Sequence, residues 1–473
     1  MYDGSSTEAL VAILRSEIAR LAPADRLPSS RDLIARHGVG PVTVSRAIAL
    51  LAAEGAVVTR PGSGTYVAAR RPPAGAGAEP DTSWQAVALA GRQPLPEPPA
   101  EQSGTPAVGT IALSGGYLHE NLQPTRLLSG ALARAARRPD AWHRAPAAGL
   151  STLRAIFARQ VGGDVSPEDV LVTGGGQGAL SMLFRAIAAP GNPVLVESPT
   201  YPGALAAARS AGLRPVPVPI DDQGLRPDLL ADAFATTGAR LLYCQPTFHN
   251  PTGTVLSPER RRQIVDVAHA AGAFVIEDDF ARHLGHGRPV PRPLVADDRD
   301  GTVIHLTSLT KPASPSLRIG AVIARGLVMQ RLLGMRRVDD FFIARPLQEA
   351  AVELLSTPAW DRHLRNLATA LRHRCTVLAD ALVRELPDWT IAHVPQGGLH
   401  LWLRLPSGLT EAAVTDTARA HRVTVNLGHQ YFPAEPPAAH LRLGFAAAAE
   451  PADLAEAATR LAIVARRTAP TPG

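Results

Sequence analysis

Lysine is almost missing from this chain. Of the 48 lysine and arginine residues among 473, all but Lys311 are arginine. A guanidinium stays protonated and is a poor nucleophile, whereas an ε-amine can lose its proton when desolvated and attack a carbonyl. In a sequence this rich in alanine, arginine, glycine and proline, arginine has taken over wherever any cation serves, so the surviving amine is a candidate for chemistry. Cysteine is nearly as scarce. Cys244 and Cys375 provide no disulfide framework and fit a reducing compartment. No signal-peptide pattern and no run of eighteen apolar residues occurs, so a cytoplasmic protein without a membrane partner is expected. The fifteen histidines show no metal-ligand spacing, and no metal is expected. No internal repeat is evident.

Lys311 lies in Thr307-Ser-Leu-Thr-Lys311-Pro-Ala-Ser-Pro-Ser-Leu-Arg318-Ile-Gly320, between apolar stretches at 303–306 and 319–324. This reads as strand, irregular polar loop, strand, with the amine at a strand's end, where α/β enzymes keep their chemistry. Upstream, Val170-Leu-Val-Thr-Gly174-Gly-Gly-Gln-Gly178 reads as a strand, a Gly-rich turn and a helix start, whose free backbone N–H groups suit an anion. A buried-strand pattern at 193–196 leads into Glu197-Ser-Pro-Thr-Tyr201-Pro-Gly203, and Gln245-Pro-Thr-Phe-His-Asn250-Pro-Thr-Gly253 follows. Phe274-Val-Ile-Glu277-Asp278-Asp279-Phe280 is a buried strand ending in three acids, a costly arrangement unless each has a partner. Near the C-terminus, Gly397-Gly-Leu-His-Leu-Trp-Leu403 and His440-Leu-Arg442-Leu-Gly-Phe445 read as two further strands.

Taken in order, these elements resemble the pyridoxal-phosphate enzymes of the aminotransferase fold, over roughly residues 110–465. The resemblance implies an α/β fold with large and small domains and pyridoxal 5'-phosphate bound to Lys311 as a Schiff base. It gives the phosphate to Ser308 and Arg318, the latter through a forked, charge-assisted contact, with Gly175, Gly176 and Gln177 alongside. Tyr201 is expected to stack on the pyridine ring and Asn250 to donate to the phenolic oxygen. Asp278, in preference to Asp279, holds the pyridine nitrogen's proton and makes the cofactor an electron sink. Arg442 takes a substrate or effector carboxylate through its fork. Two positions depart from the pattern. Gly176 stands where the family usually has a hydroxyl, and Phe280 where it has a tyrosine that bonds the phenolic oxygen.

The first seventy residues differ in kind. Leu10, Ile13, Leu14, Ile18 and Leu21 recur at helical spacing. Arg26-Leu-Pro-Ser-Ser-Arg31-Asp-Leu-Ile-Ala-Arg36-His-Gly38 reads as a short helix with hydroxyls at its start. After a turn, Val42-Thr-Val-Ser-Arg46-Ala-Ile-Ala-Leu-Leu51 reads as a second helix. Val44, Ala47, Ile48 and Leu51 face inward there, with Val42, Thr43, Ser45 and Arg46 outward. Gly55-Ala-Val-Val-Thr-Arg60-Pro-Gly-Ser-Gly64-Thr-Tyr-Val67 alternates about a glycine turn as a hairpin. Such a layout places one helix in the major groove of double-stranded DNA and a hairpin beside the backbone. Leu27-Pro-Ser-Ser-Arg31 and Gly62-Ser-Gly-Thr-Tyr-Val67 resemble the GntR-type winged helix-turn-helix. That resemblance makes Arg31, Thr43, Ser45, Arg46 and the wing around Gly62 the expected DNA contacts. Pro41 replaces the arginine common at the recognition helix's start; it opens a helix well but offers no donor to DNA. Charge adds little, since residues 1–71 hold nine arginines and six acids.

Residues 71–108 are rich in proline, glycine and alanine and read as a semi-stiff linker between domains at 1–70 and 109–467. A GntR-type reader joined in this way to an aminotransferase-like domain resembles the MocR-type regulators. The resemblance implies a homodimeric transcription factor that senses an amino compound, or pyridoxal phosphate itself. A working aminotransferase with a DNA-binding arm is the alternative.

Overall fold

The computed structural model describes residues 4–69, 81–90 and 109–468, and the chain divides into two compact units, residues 1–92 and 93–473. In the first unit, α1 (Gly4–Ile18) buries Leu10, Val11 and Leu14, while Ile13 is 45% and Leu21 38% exposed. Both belong to the apolar residues that recur at helical spacing in the sequence. The stripe runs through Thr7, Leu10 and Leu14, and the buried Thr7 shifts its centre toward Val11 and away from Ile13; Leu21 lies past the helix end. Helix α2 (Ser30–His37) is closed at both ends. The Asp32 amide donates to Ser29 Oγ at 3.3 Å and the Ser29 amide donates to Asp32 Oδ2 at 3.1 Å, the reciprocal box that satisfies two otherwise orphaned donors. Gly38 ends the helix in the left-handed region. Helix α3 (Pro41–Ala53) begins on Pro41 and buries Val44, Ala47 and Leu51 as expected.

Thr43 corrects the expectation. It is 4% exposed, because it sits four residues before Ala47 and falls on the same stripe. Strands β1 (Val57–Arg60) and β2 (Gly64–Val67) pair antiparallel from Val57↔Val67 to Arg60↔Gly64. The turn between them runs through Gly62 at φ +72°. Leu10, Leu14, Leu33, Val44, Leu51 and Val57 form the core of this unit. Of the expected linker, residues 71–80 and 91–108 lie outside the described residues. Between them α4 (Trp84–Leu89) is a six-residue helix that buries nothing.

The second unit runs β3 (Ile111–Ala112), α5 (Thr125–Ala135), α6 (Ser151–Val161), β4 (Val170–Thr173), α7 (Gly176–Ile187), β5 (Pro193–Ser198), α8 (Pro202–Ser210), β6 (Arg214–Asp221), β7 (Gly224–Leu225), α9 (Pro227–Thr237), β8 (Leu241–Cys244), α10 (Pro258–Ala270), β9 (Phe274–Asp278), β10 (Val303–Ser308) and β11 (Gly320–Ile323). Its large sheet has the order β4-β11-β10-β9-β8-β5-β6-β7. Strands β6, β5, β8, β9 and β10 are mutually parallel, and β11 is antiparallel to β10 and β4. Every residue of β4, β8, β10 and β11 is buried, the continuous apolar pattern of a sheet covered on both faces. The chain continues through α11 (Gly326–Asp339), α12 (Arg345–Leu355), α13 (Pro358–Glu385), β12 (Thr390–Ile391), β13 (His400–Arg404), α14 (Glu411–Ala420), β14 (Val423–Thr424), β15 (Asn426–Leu427), β16 (His440–Gly444) and α15 (Pro451–Thr468). A second sheet, β12-β13-β16-β15, is antiparallel, and β14 pairs with β3. The first strand after the linker is therefore part of the C-terminal layer.

Ser29→Ala should cost the reader about 1 kcal/mol, the usual value of an N-cap. Hydrogen exchange on the full chain would register it as faster exchange of the α2 amides.

Candidate functional site

The carboxyl ends of β4, β5, β8, β9 and β10 open onto one cavity of about 730 Å³, where α/β sheets hold ligands. At its base, Gly175 has φ +92°, and a Cβ there would lie 2.9 Å from Arg318 Nη2. Glycine takes this positive φ without strain and leaves room for the guanidinium over the first turn of α7. Arg318 itself is left-handed at φ +50°. The positive end of α7, its free N–H groups and this guanidinium together form an anion cradle. Ser308, at the end of β10, accepts the Thr310 amide at 3.2 Å and shares a hydrogen bond with Thr310 Oγ1 at 2.9 Å. Gln177 uses its side chain elsewhere: Nε2 donates to the Gly203 carbonyl at 2.8 Å and Oε1 accepts from the Tyr201 hydroxyl at 3.1 Å. Tyr201 is thereby fixed on the cavity wall.

Strand alternation decides which of the three acids enters. Glu277 and Asp279 fall on one face and Asp278 on the other. Glu277 accepts the Leu294 amide at 2.8 Å and is hydrogen-bonded to His305 Nδ1 at 3.0 Å, with Arg261 at 3.8 Å. Asp279 pairs with Arg282. Glu277, Asp279 and His305 also approach one another closely enough to suggest metal ligands. The two arginines already balance the carboxylates, so the group is a buried ion network. Asp278 alone lines the cavity. Its Oδ2 accepts from the Tyr243 hydroxyl at 2.7 Å and Gln245 Nε2 at 3.0 Å. Burial pushes its pKa up to about 6 against the opposing pull of those two bonds.

Lys311 donates to the Gly116 carbonyl at 2.7 Å, with Nζ 3.6 Å above the centre of the Tyr117 ring. Arg442 faces the cavity from β16, donating to the Ser114 carbonyl at 2.9 Å and to Asn250 Oδ1 at 3.3 Å. Asn250 Oδ1 is thus an acceptor, which leaves the amide nitrogen as the donor. Ser308, Lys311, Arg318, Asn250, Asp278, Tyr201 and Arg442 line the same space, with Gly176 and Gln177 at the helix start. Phe280 also lines it and brings no hydroxyl.

Sequence reading missed Tyr117, Tyr243, Gln245, His400, Asn426 and Tyr431. Gln245 and His400 stood inside quoted motifs, whereas Tyr243 was hidden in an apolar strand.

In the reader, Arg31, Ser45, Arg46 and Gly62 are exposed, and a Cβ at Gly62 would meet nothing within 4 Å. Thr43 is not among the outward groups. The wing is stiffened by Tyr66, whose hydroxyl meets Ser63 Oγ at 2.7 Å while Arg60 lies 5.1 Å from its ring centre.

The family described as bacterial regulatory proteins, gntR family, matches residues 6–67, and aminotransferase class I and II matches residues 121–461. The HTH-type transcriptional regulator YdcR of Escherichia coli is 31% identical over 429 residues, covering 88% of this chain and 90% of the relative. Both domains therefore recur together in one relative. The chain belongs to the MocR-type regulators. A 2-aminoadipate transaminase of Thermus thermophilus is 31% identical over 329 residues, 68% of this chain and 82% of that enzyme. The structure of LysN from Thermus thermophilus, complexed with N-(5'-phosphopyridoxyl)-L-leucine, superposes at TM-score 0.72 with 29% identity. It covers 76% of this chain and 93% of LysN.

The cofactor of the aminotransferase fold is pyridoxal phosphate, and the residues of this MocR-type cavity fit it. The cradle closed by Gly175 and Arg318 suits its phosphate, buried Asp278 its pyridinium and Lys311 its aldehyde. Bound there, the cofactor supplies an electron sink. Among the described residues no helix is long and apolar enough to cross a membrane.

Without cofactor, the fold holds a proton on Asp278 between pH 3.8 and about 6 that the unfolded chain gives up. Stability from this group is full below about pH 4, falls as pH rises and is lost above pH 6. Asp278→Asn removes the effect. The wild type should lose about 2 kcal/mol relative to the variant between pH 4 and 7, measured by denaturant unfolding of cofactor-free protein.

Proposed function

We propose that this GntR-type regulator carries pyridoxal phosphate as a Schiff base on Lys311 and uses the cavity to sense an amino compound or pyridoxal phosphate itself. The observation that carries this reading is the convergence of the chain's one ε-amine with Asp278, Arg318 and Arg442 in a single cavity. Asp278 would hold a proton at the pyridine nitrogen, and Arg318, Ser308 and the α7 N-terminus would hold the phosphate. Asn250 would donate to the phenolic oxygen. Arg442 offers its fork to a carboxylate, as guanidinium geometry favours.

A sensor needs a ligand that contacts two states differently. Lys311 donates to the Gly116 carbonyl and Arg442 to the Ser114 carbonyl. Both acceptors lie on the stretch that follows β3 directly after the linker. A ligand that takes over either cation alters hydrogen bonds on that one stretch, which supports a path from cavity to linker. The protein acts in the cytoplasm on double-stranded DNA as a homodimer, whose two readers favour paired half-sites. Arg31, Ser45, Arg46 and the wing at Gly62 make the contacts.

A working aminotransferase is favoured by Asp278, whose Oδ2 is held by Tyr243 and Gln245. Phe280 and Gly176, each lacking a hydroxyl, favour the sensor. Half-transamination with candidate amino acids, followed at the cofactor's absorbance, separates them, since rapid multiple turnover belongs to an enzyme alone.

Borohydride reduction and peptide mapping should find the cofactor on Lys311, and Lys311→Ala should abolish attachment while leaving effector-free DNA affinity intact. An untagged Lys311 peptide in cofactor-saturated protein would refute the reading. Arg442→Ala should weaken carboxylate effectors by about 2–5 kcal/mol in spectral titrations.

A further inference from the structure

His400 is the first residue of β13 and lines the cavity with Lys311 and Arg442. It is 6% exposed, and its Nε2 has no hydrogen-bond partner among the described residues. A buried polar atom left unpaired is costly, and a ligand that pairs it recovers that cost. Burial, then the charges of Arg442 and Lys311, holds the imidazole well below its usual pKa. It is therefore neutral, with one N–H to give and one nitrogen to accept. The two cations acting on it are the ones that would engage the carboxylate and amino group of an α-amino acid. A side chain beside both anchors meets what the α-carbon carries.

The neighbourhood agrees. Strand alternation puts His400 and Trp402 on one face, and register sets Arg442 opposite Trp402. Trp402 is packed by its own neighbours, stacking on His440 at 4.8 Å and edge-on to Tyr431 at 5.5 Å. Among the described residues His400 makes no ring contact of that kind. The C-terminal sheet contributes His400, Asn426 and Arg442 to the lining, whereas the aliphatic lining, Leu180 and Leu205, comes from α7 and α8.

We propose that His400 sets the effector class: an α-amino acid whose side chain carries a hydroxyl, amide or carboxylate near the α-carbon, in preference to its aliphatic counterpart. The proposal rests on the reading that this cavity binds pyridoxal phosphate and senses an amino compound. A site that hydrogen-bonds its ligand rejects an analogue lacking the group far better than an apolar pocket separates aliphatic homologues.

The test uses full-length, cofactor-loaded protein and near-isosteric pairs, threonine against valine and glutamine against norleucine, titrated by the absorbance of the bound cofactor. In the wild type the polar member of at least one pair should half-saturate at about tenfold lower concentration. His400→Phe should bring that pair within about twofold, and His400→Gln should keep part of the preference. Borohydride trapping on Lys311 reports whether each variant retains an intact cofactor site. An unchanged preference in His400→Phe overturns the proposal, as does equal weakening of polar and aliphatic members, which would make His400 a general anchor. If the wild type responds to no amino acid while Lys311 is trapped, this inference falls, whereas the sensing of another amine or of pyridoxal phosphate itself stands.

Discussion

Charge buried at the carboxyl end of one strand organises the second unit. Strand β9 delivers Glu277, Asp278 and Asp279 into the interior, and each must be partnered there or neutralised. Glu277 joins β9 to His305 of β10, to the Leu294 backbone and to Arg261 of α10. Asp279 is held by Arg282. With its neighbours committed to the opposite face, Asp278 is the acid left for the cavity, supported by Tyr243 and Gln245 from the adjacent strand and its following turn. The elements that satisfy these carboxylates are the ones that carry Ser308 and Asn250. Stability of the sheet end and construction of the site are the same problem.

A second tie joins the two ends of this unit. The backbone at Ser114 and Gly116 accepts hydrogen bonds from Arg442 and Lys311, and Ser114 Oγ meets Thr424 Oγ1 at 2.7 Å. Residues that begin the second unit are therefore held by groups some 200 to 330 positions later. That stretch follows the residues whose composition reads as a linker, so Lys311 and Arg442 are tied to the beginning of the second unit.

Much of both domains was legible from residues alone. The capping box at Ser29 and Asp32, the proline that opens α3, the glycine turn of the wing and the strands on either side of Lys311 are local features, set by backbone preferences and short-range hydrogen bonds. The cavity residues could be read because each sits in a compact motif. Errors arose where a neighbour had to be known. Thr43 looked outward until its phase with Ala47 drew it into the core. Ile13 lost its place to Val11, a choice made by what α1 packs against. Gln177 lines the cavity at the start of α7, and the tie of its side chain to Tyr201 is a contact no motif announced.

What this sequence determined by itself was a reader of helix-turn-helix type, a linker of distinct composition and an α/β domain with one amine, since composition, periodicity and motif order survive without coordinates. Only the tertiary structure decided that Lys311 rests on Gly116 over Tyr117, that Arg442 reaches Ser114 and Asn250, and that His400 lines the same space with a buried Nε2 that has no partner among the described residues. Those contacts join residues up to 328 positions apart. No local pattern encodes them, because they depend on how two sheets are brought together around one cavity.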